Sequence, residues 1–127
     1  MMTFDTPEEL RREKKAIELF VSMFSGSYQK LDPHDIDYKV FDKDNKLIAY
    51  AEIVSRVRTM ANAYPLPVSA KKLVKLFDKR IPPVIIWSCD DGIIYAKANE
   101  LRGEVIFDSE LIVYYKKNKE FKYIRFT

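Results

Sequence analysis

Apolar residues along the first third of the chain recur at helical spacing. Leu10, Ile17, Phe20, Val21, Phe24, Tyr28 and Leu31 stand three, four or seven positions apart, and at about 100° per residue they fall within about 100° of arc. The spacing predicts an amphipathic helix from about Pro7 to Leu31, with a break favoured near Ser25-Gly26-Ser27. Thr6 suits its N-cap, Pro7 its first turn, and Thr6 with Glu9 a capping box. The pattern then changes to runs bounded by turn residues. Ile36–Asp42 and Leu47–Val57 read as strands joined by a short polar link, hence a hairpin. LIAYAEIVSRV is apolar nearly throughout, as in a strand buried on both faces. Residues 58–68 read as a loop with two prolines. Ser69 is expected to cap a second helix to about Arg80, with Leu73, Val74, Leu76 and Phe77 on one face. Val84–Cys89 and Ile93–Lys97 flank Asp90-Asp91-Gly92 as a second hairpin. Glu110–Tyr115 and Phe121–Phe126 predict a third, C-terminal β-hairpin. This order implies an α/β or α+β domain, a mixed β-sheet flanked by helices, and residues 1–127 read as a single domain.

Composition narrows the chemistry. With 3 glycines in 127 residues and no GxGxxG or GxxxxGK[ST] run, a glycine-rich phosphate loop is excluded. One cysteine and one histidine exclude a Cys-based or multi-histidine metal site, so a metal would need carboxylates and be a hard ion such as Mg²⁺ or Mn²⁺. No apolar run reaches the ~18–20 residues of a membrane span. The charged start MMTFDTPEELRREKK does not read as a signal peptide, so an intracellular, cytoplasmic setting is expected. Charge is uneven. Residues 1–64 hold 10 Lys+Arg and 11 Asp+Glu, whereas residues 65–127 hold 12 and 8. A basic C-terminal half is compatible with a polyanion partner and equally with solvated lysines.

Three carboxylates stand where burial is expected. Glu52 interrupts the apolar strand, and burying it requires a cation or donors; pairing with an arginine such as Arg56 is one solution. Asp37 lies in the preceding strand, where a hairpin closing at 42–46 brings it toward Glu52. Glu13 falls inside the apolar arc of the first helix, one turn from its start, where the stripe can still be exposed. Three converging acids would raise one another's pKa values, and a divalent cation relieves that.

The stretch IDYKVFDKDNKLIAYAEIVSRV resembles the core of the PD-(D/E)xK nuclease superfamily, the restriction-endonuclease-like fold. The resemblance covers roughly residues 7–97, mainly through element order. It implies that Asp37 and Glu52 are metal-binding and catalytic carboxylates, that the Ile53 carbonyl is a further ligand, and that Glu13 matches an acid some members carry on the first helix. The motif lysine should stand at position 54, where this chain has Val54. Lys72, near the start of the second helix and about 40° outside its apolar arc, is the candidate replacement as the catalytic lysine, or else an ordinary solvated lysine. Arg56, Arg58, Lys71 and Lys75 are candidate nucleic-acid contacts. The function implied is Mg²⁺-dependent (or Mn²⁺-dependent) hydrolysis of phosphodiesters, in DNA before RNA, directed by structure or backbone because no separate recognition domain fits. A homodimer would suit such an enzyme. Two other readings stay open: a catalytically dead nuclease-fold domain that binds nucleic acid or a protein, and a structural or assembly protein.

The remaining candidates have plainer readings. His34 is a surface turn residue or a proton shuttle beside Asp37. Cys89 is a small core residue. Trp87, Tyr95, Tyr114, Tyr115 and Tyr123 suit strands. The tail IVYYKKNKEFKYIRF interleaves aromatics with Lys116, Lys117, Lys119, Lys122 and Arg125, which fits either a lysine-protected edge hairpin or base stacking.

Overall fold

A computed structural model describes residues 6–31, 37–77, 80–108 and 110–127, so His34 lies outside the described residues. Helix α1 spans Pro7–Ser22. The Thr6 hydroxyl accepts the Glu9 N–H at 3.1 Å, as the capping pattern predicts. The helix ends well short of Leu31. Ser25 adopts a left-handed φ of 55°, and the Gly26 N–H returns to the Val21 carbonyl at 2.9 Å. That turn closes the helix, and the chain leaves it as strand β1 (Ser27–Lys30). Tyr28 packs on the same core as Ile17 and Phe20, but from a strand.

Strands β2 (Tyr38–Phe41) and β3 (Leu47–Ser55) form the expected antiparallel hairpin. β4 (Leu66–Ser69), helix α2 (Ala70–Phe77), β5 (Pro83–Ser88), β6 (Gly92–Lys97), β7 (Glu104–Asp108), β8 (Glu110–Tyr115) and β9 (Lys122–Arg125) follow. A six-stranded sheet runs β1-β2-β3-β5-β6-β9, and a three-stranded sheet runs β4-β8-β7. In the larger sheet only β3 and β5 are parallel, with β4 and α2 in the crossover between them. The result is a mixed α/β fold with a mixed sheet.

Several local expectations are corrected. The proline-rich stretch contains β4, where Pro67 is tolerated because β4 is an edge strand, while its carbonyl accepts the Trp87 indole N–H at 2.8 Å. Ser69 is the last residue of β4, and α2 ends at Phe77 instead of Arg80. Only Leu73 and Leu76 of α2 are buried; Val74 is 70% and Phe77 56% exposed. The C-terminal hairpin does not form. β8 pairs with β4 and β7, and β9 pairs with β6. Phe121, between them, is buried edge-on against Trp87, Tyr115 and Tyr64, at ring separations of 5.8, 6.5 and 5.5 Å. Burying that ring outweighs the local pairing that a short KNKE link would allow. β7, which the sequence pattern did not reveal, takes the hairpin place beside β8.

Both faces of the large sheet are covered. On one, Ala16, Ile17, Phe20 and Val21 of α1 meet Val40, Ala51, Ile53 and Ile86. On the other, Ile85, Trp87 and Ile94 meet Leu66, Leu73, Leu76 and Val113. Each fully buried aliphatic chain contributes about 1.5–3 kcal/mol. No helix among the described residues is long and apolar enough to cross a membrane.

Arg12 ties α1 to the ends of the parallel pair. Its guanidinium donates to Ser55 Oγ at 3.1 Å, to the Arg56 and Ser88 carbonyls at 3.1 and 3.0 Å, and to Asp90 Oδ1 at 3.1 Å. Removing it takes the guanidinium from Ser55 Oγ and Asp90 and one of two donors from the Arg56 and Ser88 carbonyls, which keep the Arg58 and Arg56 N–H groups. Arg12→Ala is therefore expected to lower the unfolding free energy by about 2–3 kcal/mol in a urea titration. Arg12→Lys, lacking the fork, recovers only part of that loss.

Candidate functional site

The site is built where the β2 ladder stops. Tyr38 is the last residue of β2 on that side and pairs with Ala51. In a strand, alternate residues aim their peptide groups at the same neighbour. Ile53, two residues beyond Ala51, presents its N–H and C=O on that same side, beyond the described ladder. Two side chains meet this peptide. Asp37 Oδ2 accepts the Ile53 N–H at 2.8 Å. Lys72, reaching from α2, places Nζ 3.4 Å from the Ile53 carbonyl and 3.3 Å from Glu52 Oε1. Glu52 Oε2 in turn accepts the Asp37 N–H at 3.0 Å. Asp37, Glu52, Lys72 and the Ile53 peptide, all singled out in the sequence, thus share one cluster.

Glu52 is 2% exposed, on the sheet face it shares with Tyr50 and Val54. Burial raises its pKa, the nearby Asp37 charge raises it further, and Lys72 and the Asp37 N–H only partly compensate, leaving it at about 7. For Lys72, burial disfavours the charge, but the fields of Asp37, Glu52 and Glu13 outweigh it and hold the ammonium above its ordinary pKa. The cluster is short of positive charge even with Lys72 in place.

That shortage, and the donor set, fit a hard divalent ion. Two carboxylates and one backbone carbonyl are all oxygen ligands, and Mg²⁺ commonly takes one or two carboxylates and keeps several waters. The Lys72 ammonium already stands against two of those oxygens, as a cation. Among the described residues no three His, Cys, Asp or Glu side chains gather closely enough to hold a metal by side chains alone. Glu13 is buried, but on the α1 side, where Lys30 Nζ and the Tyr38 hydroxyl reach its Oε1 at 3.1 and 3.3 Å. Burial, followed by the charges of Glu13 and Asp37, pushes the Tyr38 phenol well above its ordinary range. Lys30 and Tyr38 were not singled out in the sequence. The signal for Lys30 was the Ser25-Gly26 break, after which strand geometry aims it back at the helix.

Position 54 explains the displaced lysine. Val54 is paired with Trp87 and packs on the aromatic core, where an ammonium would lose its hydration. Arg56 does not pair with Glu52. Its guanidinium donates to the Ala63 and Pro65 carbonyls at 2.9 and 3.3 Å and anchors that loop. Arg58 and Lys71 are exposed, and Lys75 is half-buried. Cys89 is buried, and burial followed by the Asp91 charge pushes its thiol up to about 12, consistent with an inert core residue.

No family model matches this chain, and no curated protein or solved structure matches it either.

Proposed function

We propose that this protein is a small metal-dependent nuclease with a restriction-endonuclease-like core, hydrolysing phosphodiester bonds of DNA in a structure-directed way. The observation that carries this reading is the convergence of a buried Glu52, the Asp37 carboxylate and the Lys72 ammonium on the Ile53 peptide. Element order supports it too: an acid-bearing helix, the antiparallel pair β2–β3 with Asp37 immediately before β2 and Glu52 within β3, then a helix and a strand parallel to β3.

In this reading Asp37, Glu52 and the Ile53 carbonyl would hold Mg²⁺ or Mn²⁺. The ion would polarise a phosphoryl oxygen and lower the pKa of a bound water. Lys72 would orient that water and offset the charge that grows on the phosphate. The Asp37–Ile53 and Asp37–Glu52 hydrogen bonds fix both carboxylates before substrate arrives. Lys71 and Arg58 are exposed cations for backbone phosphates, and Lys75, half-buried on α2, is a further one.

One observation favours a second reading. Each carboxylate already accepts a backbone N–H, and Glu52 also meets Lys72, so the buried acids are satisfied with no ion. A binding-only domain would keep this lock. Incubation of the full chain with Mg²⁺ or Mn²⁺ and plasmid, branched or single-stranded DNA separates the two. Cleavage that Glu52→Ala reduces by roughly 10²–10³-fold or more supports the nuclease. Salt-sensitive binding with no cleavage in either metal contradicts it.

A further inference from the structure

The basic, aromatic tail is unused by the carboxylate cluster, and it forms no self-contained hairpin; β9 is an edge strand of the large sheet. The tail instead helps build an open recess of about 390 Å³ lined by Met60, Ala61, Tyr64, Lys117, Tyr123 and Arg125. Its floor and walls are apolar or aromatic, and the two charged side chains are both cations.

The recess is fixed in place by the surrounding chain. The Tyr64 and Tyr123 hydroxyls are hydrogen-bonded to each other, and Tyr64 packs edge-on against buried Phe121. Asp91 organises one rim: Oδ1 accepts the Met60 N–H at 2.9 Å, and Oδ2 holds Arg125 at 3.4 Å. Arg56 pins the loop that carries Tyr64 through the Ala63 and Pro65 carbonyls. A planar, apolar group with an attached anion fits these features: rings to stack on, a sulfur and methyl floor, Lys117 at the mouth, and Arg125 beside it, paired with Asp91 through one guanidinium nitrogen.

The recess lies on the same sheet face as Glu52. Tyr123 pairs with Ile94, Ile94 with Trp87 and Trp87 with Val54, which shares the Glu52 face. Three strand spacings and a two-residue step separate Tyr123 from Glu52, roughly 15 Å. Trp87 and Ile94, buried beneath the smaller sheet, lie between the two, so a single strand that reaches both must pass around that layer.

We infer that this recess is a nucleotide subsite for single-stranded nucleic acid, stacking one base against Tyr123 and Tyr64 and holding its flanking phosphates with Lys117 and Arg125. The inference deepens the proposed function by naming the strand class, and rests on that reading only for its polyanion. Lys116 and Lys119 are exposed on the same tail, while Lys122, next to Tyr123 in β9, faces the other side of the sheet. A duplex buries its base faces in the stack and gives the tyrosines nothing to bind, so single strands are preferred over duplex.

The test is fluorescence anisotropy with a labelled oligothymidylate in EDTA at low salt, using the full chain. The wild type is expected to bind the oligonucleotide at least roughly tenfold more tightly than its abasic counterpart or a duplex of equal length. Tyr123→Ala erases that preference, whereas Tyr123→Phe, which keeps the ring, retains it. Lys117→Ala, an exposed change that leaves the rings alone, weakens binding and lowers the salt slope by about one. Equal binding of normal and abasic strands by the wild type, or unchanged affinity in both Tyr123→Ala and Lys117→Ala, overturns the inference. Because EDTA removes cleavage from the measurement, such a failure leaves the nuclease reading untouched. A chain that binds in this way and cuts nothing sinks that reading alone.

Discussion

Glu52→Gln is expected to make the chain more stable at pH 8 in metal-free buffer, by on the order of 1–3 kcal/mol. Burial and the Asp37 charge hold the carboxyl at about 7, against an ordinary value of 4.5. A carboxyl whose folded pKa is raised binds its proton more tightly in the folded state. Its stabilising effect is complete below about 4.5 and is lost as pH climbs to about 7. At pH 8 the wild type carries the full cost of an ionised, buried carboxylate. Glutamine keeps an oxygen for the Asp37 N–H, discards the charge, and leaves Lys72, whose side chain is 39% exposed, to reach water. Urea titrations in EDTA at pH 5 and pH 8 should show wild type and variant nearly matched at the lower pH and clearly separated at the higher one. A variant no more stable than wild type at pH 8 contradicts the electrostatic account. A stabilising change at a site that loses its chemistry is the signature of a functional carboxylate, since a structural ion pair weakens when cut.

Lys72→Met is expected to move two quantities in opposite directions. The ammonium stands against Glu52 Oε1 and the Ile53 carbonyl, two of the oxygens assigned to the metal. Removing it takes a competing cation from those oxygens, so Mn²⁺ should bind several-fold more tightly. Cleavage should nevertheless fall by roughly 10²–10³-fold, because no other side chain of the cluster orients the water or adds to the metal in offsetting the charge developing on the phosphate. Parallel measurement of Mn²⁺ affinity and plasmid cleavage reads this split. Loss of both together would mean that Lys72 only holds the site in shape. Adding Val54→Lys is expected not to restore cleavage, because position 54 faces Trp87 and not open solvent.

What was legible in the sequence is what short-range chemistry decides. The Thr6 cap, the β2–β3 and β5–β6 hairpins, and the Asp37–Glu52 pairing all depend on residues within a turn or a hairpin of one another. The lysine from α2 was readable as a possibility because its helix position left it at the edge of the apolar stripe. The rest depended on distant partners. Tyr28 and Leu31 kept helical spacing by coincidence, and the left-handed Ser25 with the Gly26 cap ended the helix before them. The C-terminal hairpin looked sound locally but lost to the burial of Phe121 between Trp87 and Tyr115. Glu13 read as a third ligand, yet α1 delivers it to the opposite face, to Lys30 and Tyr38. Of the second sheet only β8 was signalled; β4, drawn from a proline-rich stretch, and β7 had no strand pattern to read.

Calorimetric titration of the full chain with MnCl₂ at pH 8 tests the central claim most directly. A single saturable binding event is expected, present in the wild type and lost in Asp37→Asn, whose amide can still accept the Ile53 N–H but offers no charge. A flat titration of the wild type, or equal heats in Asp37→Asn, would contradict the assignment of a metal to Asp37, Glu52 and the Ile53 carbonyl.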